Sequence, residues 1–299
     1  MNEKMESVIR KLKMQGIEAE ITSTPKNNEV LSGINIKSVN GEELHVRPVI
    51  YVDDWDEEPE DKIVEKVAHY MEIPAYREYN ADRMIEMVSD YEKASENIVP
   101  AIVQTEGNEP LLSGIVSRKI PNTDLSVYFK VVDPTDHCSS IKISKGILDG
   151  WGISEDELYD TAIGNIDSVM DPLFAAMSSV LTGMLMNKNG GELPEDAPDL
   201  LGVDEKLFLI YSKKMECGSA AAILNNTLMD EIYREHGHYY ILPSSLHEVI
   251  IVPSEKDETV EQELVEMVRC VNATEVSLQD KLSDSLYEWE PETGLLKVA

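Results

Sequence analysis

Apolar positions near the start of the chain recur at helical spacing. Met5, Val8, Ile9 and Leu12 share one face of "MNEKMESVIRKLKMQG", and Gly16 stands where a left-handed C-terminal cap belongs. The period then shortens. "IEAEITSTP" and "VLSGINIKSVNGEELHVRPVIYVDD" read as strands, and Asn40-Gly41 between alternating segments predicts a tight hairpin, because both residues tolerate positive φ.

A helical region is expected from about 57 to 95. Pro59 suits its first turn and Pro74 breaks it. Met84, Ile85, Val88 and Tyr91 form one face of the second piece. "NIVPAIVQT" reads as a strand with Pro100 at an edge or bulge, and "DLSVYFKVVD" as a clearer strand. Ser154 and Glu157 have capping-box spacing at the start of "SEDELYDTAIGNI". "PLFAAMSSVLTGML" predicts another helix.

The Gly, Pro and Asn-rich run at 187–199 predicts an exposed loop near a subdomain boundary. Beyond it, "LFLIYSKK" is a strand and "GSAAAILNNTLMDEIYREHG" a helix ending at Gly237. "YYILPSS" and "HEVIIVPS" are strands around a turn, and "TVEQELVEMVRCVN" is a helix. "SLYEWEPETGLLKV" closes the chain as a hairpin. Strand–helix steps alternate with hairpins. The expected class is therefore α+β, with mixed or antiparallel sheets and packed helices in two subdomains, residues 1–95 and 96–299.

Charge changes the picture of partners. Fifty-seven acids against 26 bases leave a net charge of −31. Such a surface repels phosphate backbones and anionic bilayers, so neither direct nucleic-acid binding nor membrane association is expected. A basic protein is the partner class that it favours. Mimicry of nucleic-acid charge is an alternative, and the plainest reading is a solubility surface, which the spread of acids over many elements fits best.

Three cysteines, at 138, 217 and 270, form no CxxC pair, so no zinc ribbon or disulfide framework is indicated. The longest apolar-leaning stretch is too short and too polar to span a bilayer. The expectation is a soluble cytoplasmic protein, its oligomeric state open.

One stretch carries candidate chemistry. "LPSSLHEVIIVP" sets Ser244, Ser245, His247 and Glu248 within five positions. One reading is a hydrolase: a serine nucleophile, His247 as its base and Glu248 orienting the ring. Such groups are ordinarily assembled from distant positions, however, and no G-x-S-x-G elbow is present. The other reading is a turn whose hydroxyls satisfy backbone groups before a strand buried on both faces. The second is preferred.

The remaining motifs are thinner. His236 and His238 flank Gly237 without a third ligand, so no metal is expected. The acidic run 53–61 lacks the glycine of a calcium loop. His137 and Cys138 are adjacent, and adjacent side chains in extended structure point apart, which argues against a dyad from this pair alone. No phosphate-binding glycine motif is present, so no cofactor is expected. The chain thus reads as a non-enzymatic protein-binding module.

"LFLIYSKKMECGSAAAILNNTLMDEIYREHGHYYILPSSLHEVIIVPSEKD" and "VNATEVSLQDKLSDSLYEWE" together resemble an uncharacterised bacterial family, common in gut clostridia. From about residue 95 onward the order of elements is also similar to a second family of unknown function in bacilli. The resemblance implies a bacterial cytoplasmic protein. It implies no activity, and no catalytic or binding residue is carried over from it.

Overall fold

The computed structural model describes residues 3–44, 47–51, 57–72, 82–135, 137, 139–188, 206–215, 218–243 and 245–299. Pro74, Cys138, Cys217, Ser244, positions 53–56 of the acidic run and the loop at 189–199 lie outside them. The chain divides into two compact units, Met1–Glu86 and Met87–Ala299.

In the first unit, helix α1 (Glu3–Met14) turns at Gly16, whose φ is 81°. An added Cβ there would stand 2.6 Å from Asn40 Oδ1, so two separate constraints select glycine. Strands β1 (Ile17–Lys26) and β2 (Glu29–Val39) form a long antiparallel hairpin, and β3 (Glu42–Glu43) follows the expected turn. Asn40 and Gly41 both take positive φ, 52° and 83°, as a type I′ turn requires. Strand β4 (Val49–Tyr51) pairs with β2. Helix α2 (Glu60–Glu72) begins directly after Pro59 and buries Ile63, Val64 and Val67 against Val8, Leu12, Ile34 and Ile36.

The division falls inside helix α3 (Asp82–Val88). The next helix, α4 (Tyr91–Ser95), expected with the N-terminal part, packs in the second unit instead. Ala94 is fully buried in that unit's core. The Tyr91 hydroxyl lies 2.8 Å from that of Thr161, and Trp151 Nε1 donates to Val88 O. Tertiary contacts that no local pattern encodes set this boundary.

The second unit has two antiparallel sheets. The smaller joins β5 (Ile98–Gln104), β6 (Ser117–Lys119), β7 (Leu125–Val132) and β8 (Ser140–Lys142), with β7 central. Pro100 sits on β5, which has a strand partner on one side only, so its missing N–H costs no ladder bond. Helix α5 (Glu109–Leu112) lies between β5 and β6. Helices α6 (Lys145–Trp151) and α7 (Glu155–Gly164) follow the sheet. The Ser154 hydroxyl caps α7 by accepting from Glu157 N at 3.1 Å.

The larger sheet runs β14-β13-β11-β12-β10-β9. Its first strand corrects an expectation. "PLFAA" is strand β9 (Pro172–Ala176), and only Met177–Lys188 is helical, as α8. Pairing with β10 (Phe208–Ser212) and stacking of Phe174 on Phe208 at 4.9 Å override the local helical pattern. "SAAAIL" likewise forms a 3₁₀ segment, Ser219–Leu224. Helix α9 (Asn226–His236) starts only after Asn225, whose side chain accepts from Leu228 N.

Strands β11 (Tyr239–Leu242) and β12 (Val249–Pro253) are apolar on both faces because both faces are covered. Tyr239, Ile241, Val249 and Ile251 join the main core. Tyr240, Leu242 and the half-buried Ile250 meet Leu264 and Val268 of helix α10 (Glu258–Thr274). Strands β13 (Tyr287–Glu290) and β14 (Leu295–Val298) complete the sheet.

Candidate functional site

The chain leaves β11 at Leu242 and enters β12 at Val249, so Ser245, His247 and Glu248 stand on the connecting turn. The Ser245 hydroxyl donates to Glu248 Oε1 at 2.8 Å and accepts from His247 N at 2.9 Å. Ser245 N closes the turn on Glu248 O. Hydroxyl and carboxylate thus satisfy the turn's own backbone and each other.

His247 faces elsewhere. Gly218 N donates to its Nδ1 at 3.2 Å, so that nitrogen carries the lone pair and Nε2 carries the hydrogen. Nε2 meets Asp280 Oδ1 at 3.2 Å. Asp280 is held in turn by the Ser277 hydroxyl at 2.7 Å, and its carbonyl accepts from Leu246 N. Ala220 N donates to Leu246 O. Three segments distant in sequence, around 218–220, 245–248 and 277–280, are therefore laced together. The fold brings His247 and Asp280 together and pairs Ser245 with Glu248. Both ring nitrogens of His247 are committed to partners other than the Ser245 hydroxyl, while Ser244 lies outside the described residues.

This geometry has a direct consequence. Ser245→Ala removes one partly buried hydroxyl and should cost about 1 kcal/mol in chemical denaturation. A fluorophosphonate probe should leave the wild-type chain unlabelled. Labelling that disappears in Ser245→Ala would overturn the structural role given to this hydroxyl.

The second pair of histidines separates into two roles. His236 ends α9, where Gly237 N donates to Tyr233 O, and its ring packs on Phe208 at 4.7 Å and Phe174 at 5.5 Å. His238 bridges two acceptors, with Nδ1 at 2.7 Å from Ser254 O and Nε2 at 2.7 Å from Glu288 Oε2. Both contacts are satisfied only when both ring nitrogens carry hydrogen. Glu288, 7% exposed, also receives Lys256 at 2.8 Å and Lys297 at 3.2 Å. Burial pushes its carboxyl up, but hydrogen bonds from Lys256, His238 and Lys297 outweigh that and hold it down at about 2.

A second polar centre, invisible to motif reading, forms around Asp124. Its carboxylate accepts from Ser283, Ser285 and Tyr287 hydroxyls at 2.8, 3.1 and 2.5 Å. Asn272 Nδ2 fixes the same segment by donating to Ser283 O and Asp284 Oδ1. These partners come from positions with no mutual spacing signal. The one hint is the cluster of Ser, Asp and Tyr in "LSDSLYEW".

Among the described residues, no three His, Cys, Asp or Glu side chains converge as metal ligands. No helix there is long and apolar enough to cross a membrane.

One face of α10 has apolar surface without a cover. Leu264, Val268 and Asn272 point inward and are buried. On the flank beside them Met267 and Val271, one helical turn apart, are 54% and 40% exposed. Glu263 and Glu266 are exposed next to them, and Leu278, also exposed, follows beyond the helix end.

A family model, described as a family of unknown function (DUF5688), matches residues 1–290. No curated protein matches, and no solved structure matches.

Proposed function

From the premise that the chain belongs to this family of unknown function, we propose that it is a non-enzymatic binding module for a basic protein. The observation that carries the reading is the flank of α10. Met267 and Val271 stand exposed beside Glu263 and Glu266, on a chain of net charge −31. Neighbouring exposed apolar residues rimmed by charge support reading this flank as an interaction site. The acids attract a cationic partner and set its rate of encounter, while the apolar residues supply contact area. A basic amphipathic helix fits both features, with its apolar face on Met267 and Val271 and its lysines or arginines against the glutamates.

The test uses a synthetic lysine-rich amphipathic helix and an acidic helix of matched hydrophobicity, followed by fluorescence anisotropy. Binding is expected for the basic peptide alone and should fall at least tenfold between about 50 mM and 300 mM salt. Met267→Ser with Val271→Ser should weaken it by about a further thirtyfold, since each removes exposed contact area worth roughly 1 kcal/mol without adding charge. The same double variant should lose any salt-sensitive partner captured from the source cell's lysate. No binding, or binding indifferent to both salt and the double variant, would sink the proposal.

A further inference from the structure

A cavity of about 490 Å³ lies on the second unit, away from α10, lined by Glu96, Asn97, His137, Asn165, Ser168 and Lys214, with Pro134 and Val169 completing it. Two of its walls carry unusual backbone. His137 sits in the β7–β8 connection at φ 53°, in the left-handed region where residues other than glycine are uncommon. It is held there by its own N–H to Asp133 O at 2.9 Å. Another part of the lining is a π-helical turn, Ile166–Met170, which supplies Ser168 and Val169 and is closed by Asp171 at φ 50°. Single π turns concentrate at functional sites, and so do left-handed residues held by their surroundings.

The polar groups have unequal freedom. Asn165 Nδ2 is fully used, donating to Ser95 O and Ile98 O at 2.6 and 2.8 Å, and so fixes the rim. Lys214 Nζ donates to Ser168 O at 3.0 Å. That anchors the ammonium with one of its three hydrogens and leaves two for a ligand. His137 Nδ1 is shielded from solvent and has no hydrogen-bond partner. An orphaned N–H is costlier than an orphaned lone pair, so in the neutral ring the hydrogen belongs on Nε2. Glu96 contributes an exposed carboxylate to the same rim.

We infer that this cavity is a binding site for a small zwitterion of the α-amino acid class. The ligand carboxylate accepts from Lys214 and His137 Nε2–H, and its ammonium donates to Glu96. A plain anion would meet Lys214 but also the Glu96 charge, and a plain cation would meet the reverse. A molecule carrying both charges satisfies both. The strained His137 backbone and the π turn hold the two walls in place before the ligand arrives, which lowers the cost of ordering them on binding.

The test is a titration of the ¹⁵N-labelled full chain with the proteinogenic amino acids, with acetate and methylammonium as single-charge controls. At least one amino acid is expected to bind with a Kd of about 1 mM or tighter, with shifts around 137, 168 and 214. Lys214→Met and Glu96→Gln should each weaken it at least about fivefold, while acetate and methylammonium should bind at least about tenfold less tightly. Both side chains are exposed, so unchanged thermal melting will confirm that the variants fold. Three results would overturn the inference: no shifts with any amino acid at about 10 mM, acetate as good a ligand as the amino acids, or affinity unmoved by both variants.

Discussion

Asp124→Ala is expected to lower the stability of the second unit by about 4 kcal/mol, the largest effect expected of a single polar substitution among the described residues. The carboxylate accepts from three hydroxyls, of Ser283, Ser285 and Tyr287, and from the Gln104 side chain at 3.5 Å. Ser283 and Tyr287 are fully buried, and Leu286 and Trp289 beside them are in the core. A hydrogen bond to a charged group contributes about 1.5–3 kcal/mol, and a buried donor left without an acceptor costs its desolvation as well. Burial and the adjacent Asp124 charge also drive the Tyr287 hydroxyl far above its usual ionisation range, so it stays a donor at any accessible pH.

Asp124 immediately precedes β7 of the small sheet, while Ser283 to Leu286 lead into β13 of the large one. The substitution therefore loosens a joint between the two sheets of one unit. Urea unfolding followed by tryptophan fluorescence reads this unit, because Trp151 and Trp289 both lie in it; a Trp55→Phe background removes the remaining signal. Asp124→Asn, which keeps the shape and one acceptor, should cost about half as much. In a double-mutant cycle, Tyr287→Phe should show coupling of at least about 1 kcal/mol to Asp124→Ala. An additive pair would show that the hydroxyl and carboxylate are neighbours without a shared contribution.

That joint also marks where sequence reading stops. Local signals were legible because they act through local backbone. Gly16 and Asn40-Gly41 announce positive φ, Ser154 announces a helix start, and the four apolar residues from Val249 announce a strand covered on both sides. The turn chemistry of Ser245 and Glu248 was readable for the same reason, since the partners are three residues apart. Asp124 and Tyr287 are separated by 163 positions and His238 and Glu288 by 50, and no period links such pairs. Strand β9 was misread because a strand is a pairing. Its partner β10 begins at Phe208, 32 residues after Ala176, so nothing local distinguishes "PLFAA" from a helix start. The His137 cavity was hidden likewise: the adjacency of His137 and Cys138 drew attention to an unsuitable dyad, whereas Lys214 and the π turn come from other parts of the chain.

Glu288 gives the second large effect, and it depends on pH with a definite sign. The folded carboxyl is held at about 2 against an ordinary value of 4.5. A depressed acid contributes stability that is complete above its unfolded value and fades as pH falls through the folded one. The gap corresponds to about 3 kcal/mol at neutral pH, trimmed to about 2 because Lys256, 61% exposed, is screened by solvent. Glu288→Gln should therefore destabilise the second unit by about 2–3 kcal/mol at pH 7, leaving His238, Lys256 and Lys297 without their common anionic acceptor. Below pH 4.5 the wild type itself begins to lose this contribution, so the difference between wild type and variant should shrink steadily and nearly vanish by about pH 2. Unfolding free energies from urea titrations at pH 7, 5, 4, 3 and 2 test the curve. A difference that stays constant across that series would assign the loss to packing of the amide in place of the carboxylate, and the ion cluster would then have no part in holding β13 to the end of β12.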